Sequence, residues 1–351
     1  MVQSKSVIFS SVPNGFPIPG KDLVVKTNEV DISKAPDGGV VLKVLLASVD
    51  PYMRGLLRDP EIKSDNPAFP LGEPITGAGI AKVLDSSHPI LKKGDIVSGL
   101  MSHSEYIVYA TEVIEALNIR ALGNPYSLPL ERFTGALGMP GLAAYGSIYE
   151  FGEMHKNEKE TIFISAASGA VGSLVGQLAK REGLRVVGSA GSDAKVKYLV
   201  ENLGFDAAFN YKTEPPKMAL PKYIPEGLDI YYDNVGGETL EAAIDNAKPQ
   251  ARFVECGMIS QYNRKKDEEP YPIRNIEQVV SKRLKLQGFL TGDVAGKYFV
   301  EFNENVAKWL QDGSIHYTED VTIGIDNEAE GLVRMLKGEN FGKAVIKYAD
   351  A

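Results

Sequence analysis

The sequence predicts an α/β protein of two domains, one β-rich and one built on a doubly wound parallel sheet. Three observations predict it. The chain has 351 residues and 44% hydrophobic composition, enough for two cores. Its first third is rich in glycine and proline and carries short β-prone runs. Near Thr161 the rhythm changes to alternating strand-like and helix-like segments.

In the first third the runs VVLKVLLASVD (40–50), GAGIAKVL (77–84) and DIVSGL (95–100) are separated by turn signals, DGG at 37–39 and KKGD at 92–95. Such close punctuation predicts a compact, barrel-like β domain. From Thr161, TIFIS reads as a strand, and Val171, Leu174, Val175, Leu178 and Ala179 then recur at helical spacing. LRVVGSA (184–190) is a second strand. Val196, Leu199, Val200 and Leu203 mark a helix over 193–203, for which Asp193 is the expected N-cap. FDAAFNY, GLDIYYDNV, ARFVECGMIS and LKLQGFL are later strands, and ETLEAAIDNA suits a helix. This βαβ alternation implies a parallel sheet covered on both faces. After a helix at 295–311, YTEDVTIGI and GKAVIKYA return to the β-rich domain. The reading assigns 1–129 and 316–351 to the β-rich domain and 130–315 to the parallel-sheet domain.

A net charge of -8 and a pI near 5.3 argue against general affinity for nucleic acid or an anionic membrane, since an acidic surface repels both. No stretch approaches the roughly 18 consecutive apolar residues that span a bilayer. The single cysteine, Cys256, allows no intramolecular disulfide and no thiolate-rich zinc site. With no secretory or transit pattern at the amino end, the expectation is a cytosolic protein.

The segment AASGAVGS (166–173) opens the parallel-sheet domain between a strand and a helix, which is the setting a dinucleotide-binding turn requires. In the full fingerprint the first glycine makes the turn, the second lets the backbone approach the pyrophosphate, and the third lets helix pack on strand. Here those places hold Ala167, Gly169 and Gly172. The amides of Ala170 and Val171 open a helix whose positive end attracts anions.

An NAD site offers an acid about 20 residues on, to bond the ribose hydroxyls. This chain has Gly188, Ser189, Ala190, Gly191 and Ser192 there, with no carboxylate to repel a 2′-phosphate. Ser192, Lys195 and Tyr211 are the candidates to bind that phosphate, the lysine supplying charge and the hydroxyls directed bonds. The expected cofactor is NADPH/NADP+.

No metal site is expected: His88, His103, His155 and His316 are scattered, HExxH is absent, and Cys256 reads as a small buried apolar residue. There is no GxSxG nucleophile elbow. Hydride chemistry without a Lewis acid calls for an already activated substrate, such as a conjugated carbonyl.

The turn AASGAVGS, the run GLAAYGSIYEFGE (141–153) and KKGDIVSG resemble the zinc-independent medium-chain dehydrogenase/reductases. SVDPYMRG (48–55), GSDAKVKYL, LGFDAAFNYKT, YYDNVGGE, CGMISQYN (256–263) and GENFGKAVIK (338–347) narrow the resemblance to the branch of prostaglandin reductases and plant alkenal double-bond reductases, across nearly the whole chain. The resemblance implies a GroES-like catalytic domain joined to a Rossmann domain, with the cofactor in the cleft, and commonly a homodimer. By position it implies that Gly169, Ala170, Val171 and Gly172 hold the pyrophosphate, and Lys195 and Tyr211 the 2′-phosphate. Asn234, the run Cys256, Gly257, Met258, Ile259, Ser260, Gln261 and Tyr262, the strand Phe289, Leu290 and Thr291, and Asn340 would line the rest of the cofactor.

The chemistry expected is hydride addition to the β-carbon of an enal or enone, with a tyrosine hydroxyl stabilising the enolate oxygen. Tyr262 is the first candidate donor, because it follows the strand expected to end beside the nicotinamide; the plainer alternative is a packing or cofactor-lining tyrosine. Tyr52, anchored by Pro51, is the second, and a domain-core aromatic is its alternative. A quinone reductase would share the cofactor site and differ in the acceptor. A protein that binds NADPH without turnover is the alternative from another class.

Overall fold

The computed structural model describes residues 1–64, 66–154 and 159–351, so His155 lies outside the described residues. The chain divides into two units. One comprises Met1–Gly135, Glu319–Asn340 and Ala344–Ala351, the other Ala136–Thr318 and Phe341–Lys343.

The first unit begins with β1 (Val2–Phe9) and β2 (Leu23–Val30), an antiparallel pair that the short apolar runs did not predict. Then come β3 (Val40–Ser48), α1 (Met53–Leu56), β4 (Thr76–Ser86), β5 (Ile96–Ser102), β6 (Tyr106–Tyr109), α2 (Thr111–Ala116) and β7 (Arg120–Ala121). After the second unit the chain returns as β14 (Glu319–Ile323), α11 (Glu328–Leu336) and β15 (Lys343–Lys347), numbered in chain order behind the elements given next. Seven strands form one sheet in the order β14-β15-β3-β4-β5-β7, with β6 also on β3. Every residue of β3 except Lys43 is buried, which is why its sequence is apolar throughout and lacks alternation.

The second unit contains α3 (Met139–Phe151), β8 (Thr161–Ile164), α4 (Ala170–Arg181), β9 (Arg185–Ala190), α5 (Asp193–Glu201), β10 (Ala207–Asn210), α6 (Pro216–Tyr223), β11 (Leu228–Asp233), α7 (Gly237–Asp245), β12 (Ala247–Glu255), α8 (Ile259–Tyr262), α9 (Gln278–Lys282), β13 (Lys285–Gly288) and α10 (Thr291–Gln311). Its six strands are parallel in the order β10-β9-β8-β11-β12-β13. The order reverses between β8 and β11, and at such a switch point the carboxyl ends of an open parallel sheet bind ligands. Phe163, Tyr231, Phe253 and Phe209 from four strands fill one face, with Phe163 stacked on Tyr231 at 5.2 Å. On α3, Gly146 leaves room for α10: a methyl group there would stand 2.6 Å from Val294.

Several boundaries differ from the sequence reading. The units part after Gly135, because the 3-10 turn Leu130–Thr134 stays with the β-rich unit, where Ser48 Oγ donates to the Thr134 carbonyl at 3.5 Å. Phe341–Lys343 belongs to the parallel-sheet unit, where Gly342 bridges to Gly169 and the Lys343 amide donates to Thr318 O at 2.9 Å. The strand expected over ARFVECGMIS ends at Glu255, and Ile259–Tyr262 is a helical turn. The strand expected at Phe289, Leu290 and Thr291 is absent: β13 stops at Gly288 and α10 starts at Thr291, its end fixed by the Leu290 amide donating to Asp293 at 2.8 Å.

A buried network closes the first unit. His103 Nδ1 bonds Glu328, and Tyr348 Oη donates to the other Glu328 oxygen, tying the β5–β6 bend to α11 and the segment after β15. His103 and Glu328 are fully covered. Glu328→Leu, which strands both partners, should lower stability by about 3 kcal/mol or more in urea unfolding.

Candidate functional site

The turn after β8 is built by small residues. Ala166 adopts the left-handed region, φ 46°, while Ala167 does not, so the position that lacks the fingerprint's first glycine needs no glycine. The Ala167 amide donates to Ser189 O at 2.9 Å, joining the turn to β9. Gly169 caps α4 in an extended conformation. A methyl group on Gly172 would lie 2.7 Å from Ala166 O and 2.8 Å from Ala167 Cα, a backbone contact that only glycine permits. The amides of Ala170, Val171 and Gly172 form the first turn of α4 and have no acceptor within the helix. The approach of an anion to this end is favoured by the helix dipole.

At the tip of β9 the helix cap is Ser192, whose Oγ accepts the Lys195 amide at 3.4 Å. The expected cap, Asp193, is instead the first helical residue, and its carboxylate accepts from Asn210 Nδ2 at 2.8 Å. Lys195 is buried at 8% exposure, unlike a solvated helix lysine, while Tyr211 is 43% exposed. A methyl group on Gly191 would stand 3.1 Å from Tyr211 Oη and 3.4 Å from Lys212 Cε. Thus Ser192, Lys195 and Tyr211 gather at one corner, and Lys212, which the sequence reading missed, joins them. Tyr211 and Lys212 beside the glycine tip, with Ser192 and the buried Lys195 on the adjoining turn and the Asp193 carboxylate held by Asn210, suit a dinucleotide with a 2′-phosphate.

At the switch point, Ser165 ties β8 to β11. The Asn234 amide donates to Ser165 Oγ at 2.9 Å, and Asn234 Nδ2 donates to Ser165 O at 2.8 Å. The β11 and β12 loops are joined in turn by Ile259 N to Asn234 O (3.2 Å), Ser260 N to Val235 O (3.2 Å) and Ser260 Oγ to the same carbonyl (2.6 Å). Gln261 bonds Ser260 Oγ and the Tyr271 amide. Tyr262 Oη accepts the Met258 amide at 3.1 Å and covers Gly257, where a methyl group would lie 2.9 Å away. Burial raises the Tyr262 pKa, opposed by that amide, so the phenol keeps its proton and can donate it.

Phe289 packs on Phe151 at 5.8 Å, Leu290 is 58% exposed, and Thr291 starts α10. Tyr52 and Asn340 belong to the first unit. Tyr52 precedes α1, and its partly covered ring and the Asp50 carboxylate raise its pKa. Among the described residues no three histidine, cysteine or acidic side chains form a metal-binding group, and no helix is long and apolar enough to cross a membrane.

Comparison with known proteins identifies the family of the chain. Residues 5–117 match the family described as the N-terminal domain of oxidoreductase, and residues 170–312 the family described as zinc-binding dehydrogenase. The chain is 47% identical to an NADP-dependent oxidoreductase of Cochliobolus heterostrophus over 100% of its own length and 99% of the relative's. It is 42% identical to the NADP(+)-dependent 2-alkenal reductase of Nicotiana tabacum, covering 98% and 97%. The crystal structure of CurA from Vibrio vulnificus in complex with NADPH superposes with a TM-score of 0.87 at 31% identity, covering 99% of this chain and 100% of that one. The chain belongs to the medium-chain dehydrogenase/reductase family, in the branch that contains the alkenal and enone reductases.

Cys256 supplies a probe of the site. It is half-buried, and its sulfur sits among Tyr232, Asp233 and Glu255; burial pushes the thiol pKa up to about 11. Because it is the only cysteine, alkylation of the native protein near pH 8 should run at least about tenfold slower than that of the unfolded chain, as mass spectrometry would read.

Proposed function

We propose that this protein reduces the C=C bond of α,β-unsaturated aldehydes and ketones with NADPH. The observation that carries this reading is the full-length likeness to 2-alkenal reductase, joined to a β9 tip where Tyr211 and Lys212 approach Gly191 and residues 188–192 hold no acid. When bound, NADPH supplies the hydride that reaches the substrate's β-carbon. The first-turn amides of α4 hold the pyrophosphate, and Lys195, Lys212, Tyr211 and the Ser192 hydroxyl hold the 2′-phosphate. Asn234, the loop 256–262 and residues 289–291 would shape the nicotinamide end.

The substrate's carbonyl oxygen gains negative charge as the β-carbon is reduced. A phenol aimed at that oxygen lowers the barrier by about 3 kcal/mol. Tyr262 suits the role because its oxygen already accepts an amide proton, which leaves its own proton free to donate, and burial keeps the phenol protonated at neutral pH. Tyr52 is the second candidate, and it too stays protonated at neutral pH. No zinc takes part. The α-carbon receives its proton from solvent.

We further infer a homodimer in the cytosol. Every residue of β13 is exposed, and it is the edge of the parallel sheet, so its outer backbone groups invite a second strand. Val280, at 80% exposure, lies on the preceding helix α9. A reducing compartment suits the single cysteine.

Steady-state rates on a panel of enals, enones and quinones with NADPH test the substrate class; rates confined to quinones would make the protein a quinone reductase. Lys195→Ala should weaken NADPH at least about tenfold while leaving NADH affinity nearly unchanged, read as dissociation constants by fluorescence. Tyr262→Phe should lower kcat roughly a hundredfold with little change in KM; an unchanged kcat assigns the donor elsewhere.

A further inference from the structure

Strands β11 and β12 run parallel with Asp233 and Glu255 at partner register positions, so the two side chains leave the sheet on one face. Asp233 is fully buried. Its Oδ1 accepts from Tyr231 Oη (2.6 Å), Ser165 Oγ (3.2 Å) and the amides of Val235 (2.7 Å) and Gly236 (2.8 Å). Its Oδ2 and both Glu255 carboxyl oxygens are buried and meet no hydrogen-bond partner outside the pair. The titratable groups that face the pair are Tyr231, the Cys256 thiol and Tyr262, none of them a cation. On the far side of Glu255 the register partner is Gly288 of β13, and above Asp233 the helix α7 begins with glycines.

Two carboxylates side by side in a buried place cannot both be ionised. One of them holds a proton. Asp233 Oδ1 already takes four donors beside the positive end of α7, which favours its charge. The proton therefore belongs to Glu255.

We propose that Glu255 is a positioning residue for the cofactor loops, donating its carboxyl proton to Asp233 Oδ2 and so fixing the carboxylate from which both loops hang. Asp233 Oδ1 holds the β11 loop through Val235 and Gly236, and its main-chain carbonyl holds the β12 loop through the amides of Cys256 (2.9 Å) and Gly257 (3.0 Å). A turn of this one residue would disturb Asn234 and Tyr262 together. The role rests on the reading above that these loops seat NADPH.

Burial, and then the charge of Asp233, push the Glu255 pKa up to about 9. The folded protein thus binds more protons than the unfolded chain from the ordinary carboxyl range up to about 9. The stability this proton provides is lost as pH rises through that window.

The test compares wild type, Glu255→Gln and Glu255→Leu by melting of the cofactor-free protein and by NADPH fluorescence titration. Relative to Glu255→Gln, which stays neutral and still donates, the wild-type melting temperature should fall as pH rises from about 5 to about 9. Its NADPH affinity should drop by roughly tenfold against the same variant between about pH 8 and 10. Glu255→Leu should bind NADPH roughly tenfold more weakly at neutral pH. A Glu255→Gln protein with the wild-type pH profile, or a Glu255→Leu protein with wild-type affinity, overturns the proposal. Should the leucine variant fail to fold, the glutamine profile alone decides. A wild type that melts as expected but binds no NADPH overturns the cofactor reading and the positioning role with it, and leaves the shared proton standing.

Discussion

The tie between the carboxyl ends of β8 and β11 is the constraint on which the parallel-sheet unit depends. Chain direction out of the sheet reverses there, and the strand ends lose the neighbours that satisfied their backbone groups. Ser165 and Asn234 answer that need with two short bonds, and Asp233 adds the amides of both following loops. The loops at this point are therefore fixed by hydrogen bonds to one another, so a ligand bound there would meet a formed surface and little ordering cost would remain.

Much of this was legible in the sequence because strong periodicity and turn chemistry agree there. The strand-turn-helix of 161–181, the glycine tip after β9 and the long helix near the end stand where the pattern put them. The misses share a cause: they lie where a few residues choose between extended and helical backbone on tertiary grounds. Residues 256–262 are as apolar as the strand before them, yet the amides of Cys256 and Gly257 turn back onto Asp233 O and end the ladder. Ser192 displaced Asp193 as cap because Asn210 engages the aspartate. β1 and β2 gave no signal, since β2 does not alternate and its residues Lys26, Thr27, Asn28 and Glu29 are exposed on both faces.

Within the candidate site, residue type revealed charge and size, but not adjacency. The absent acid at 188–192 pointed to a phosphate, and Lys195 lay in helical register with the tip. Lys212 is seventeen positions further on and comes near Gly191 only because β10 pairs with β9 in parallel. Glu255 carries a clearer message in hindsight. A lone acid closing an apolar strand, FVE, has no business in a buried sheet unless something shares its burial, and its partner lies on the neighbouring strand, out of reach of any local pattern.

The bridge between Gly169 and Gly342 also governs the order in which the protein can be made. Gly169 leaves the ribosome long before Gly342, with five of the six strands of the parallel sheet and the return to the β-rich unit synthesised between them. The sheet can assemble while translation continues. The bridge to the glycine turn, however, waits for Gly342, so a nascent chain has its scaffold well before that last contact is made.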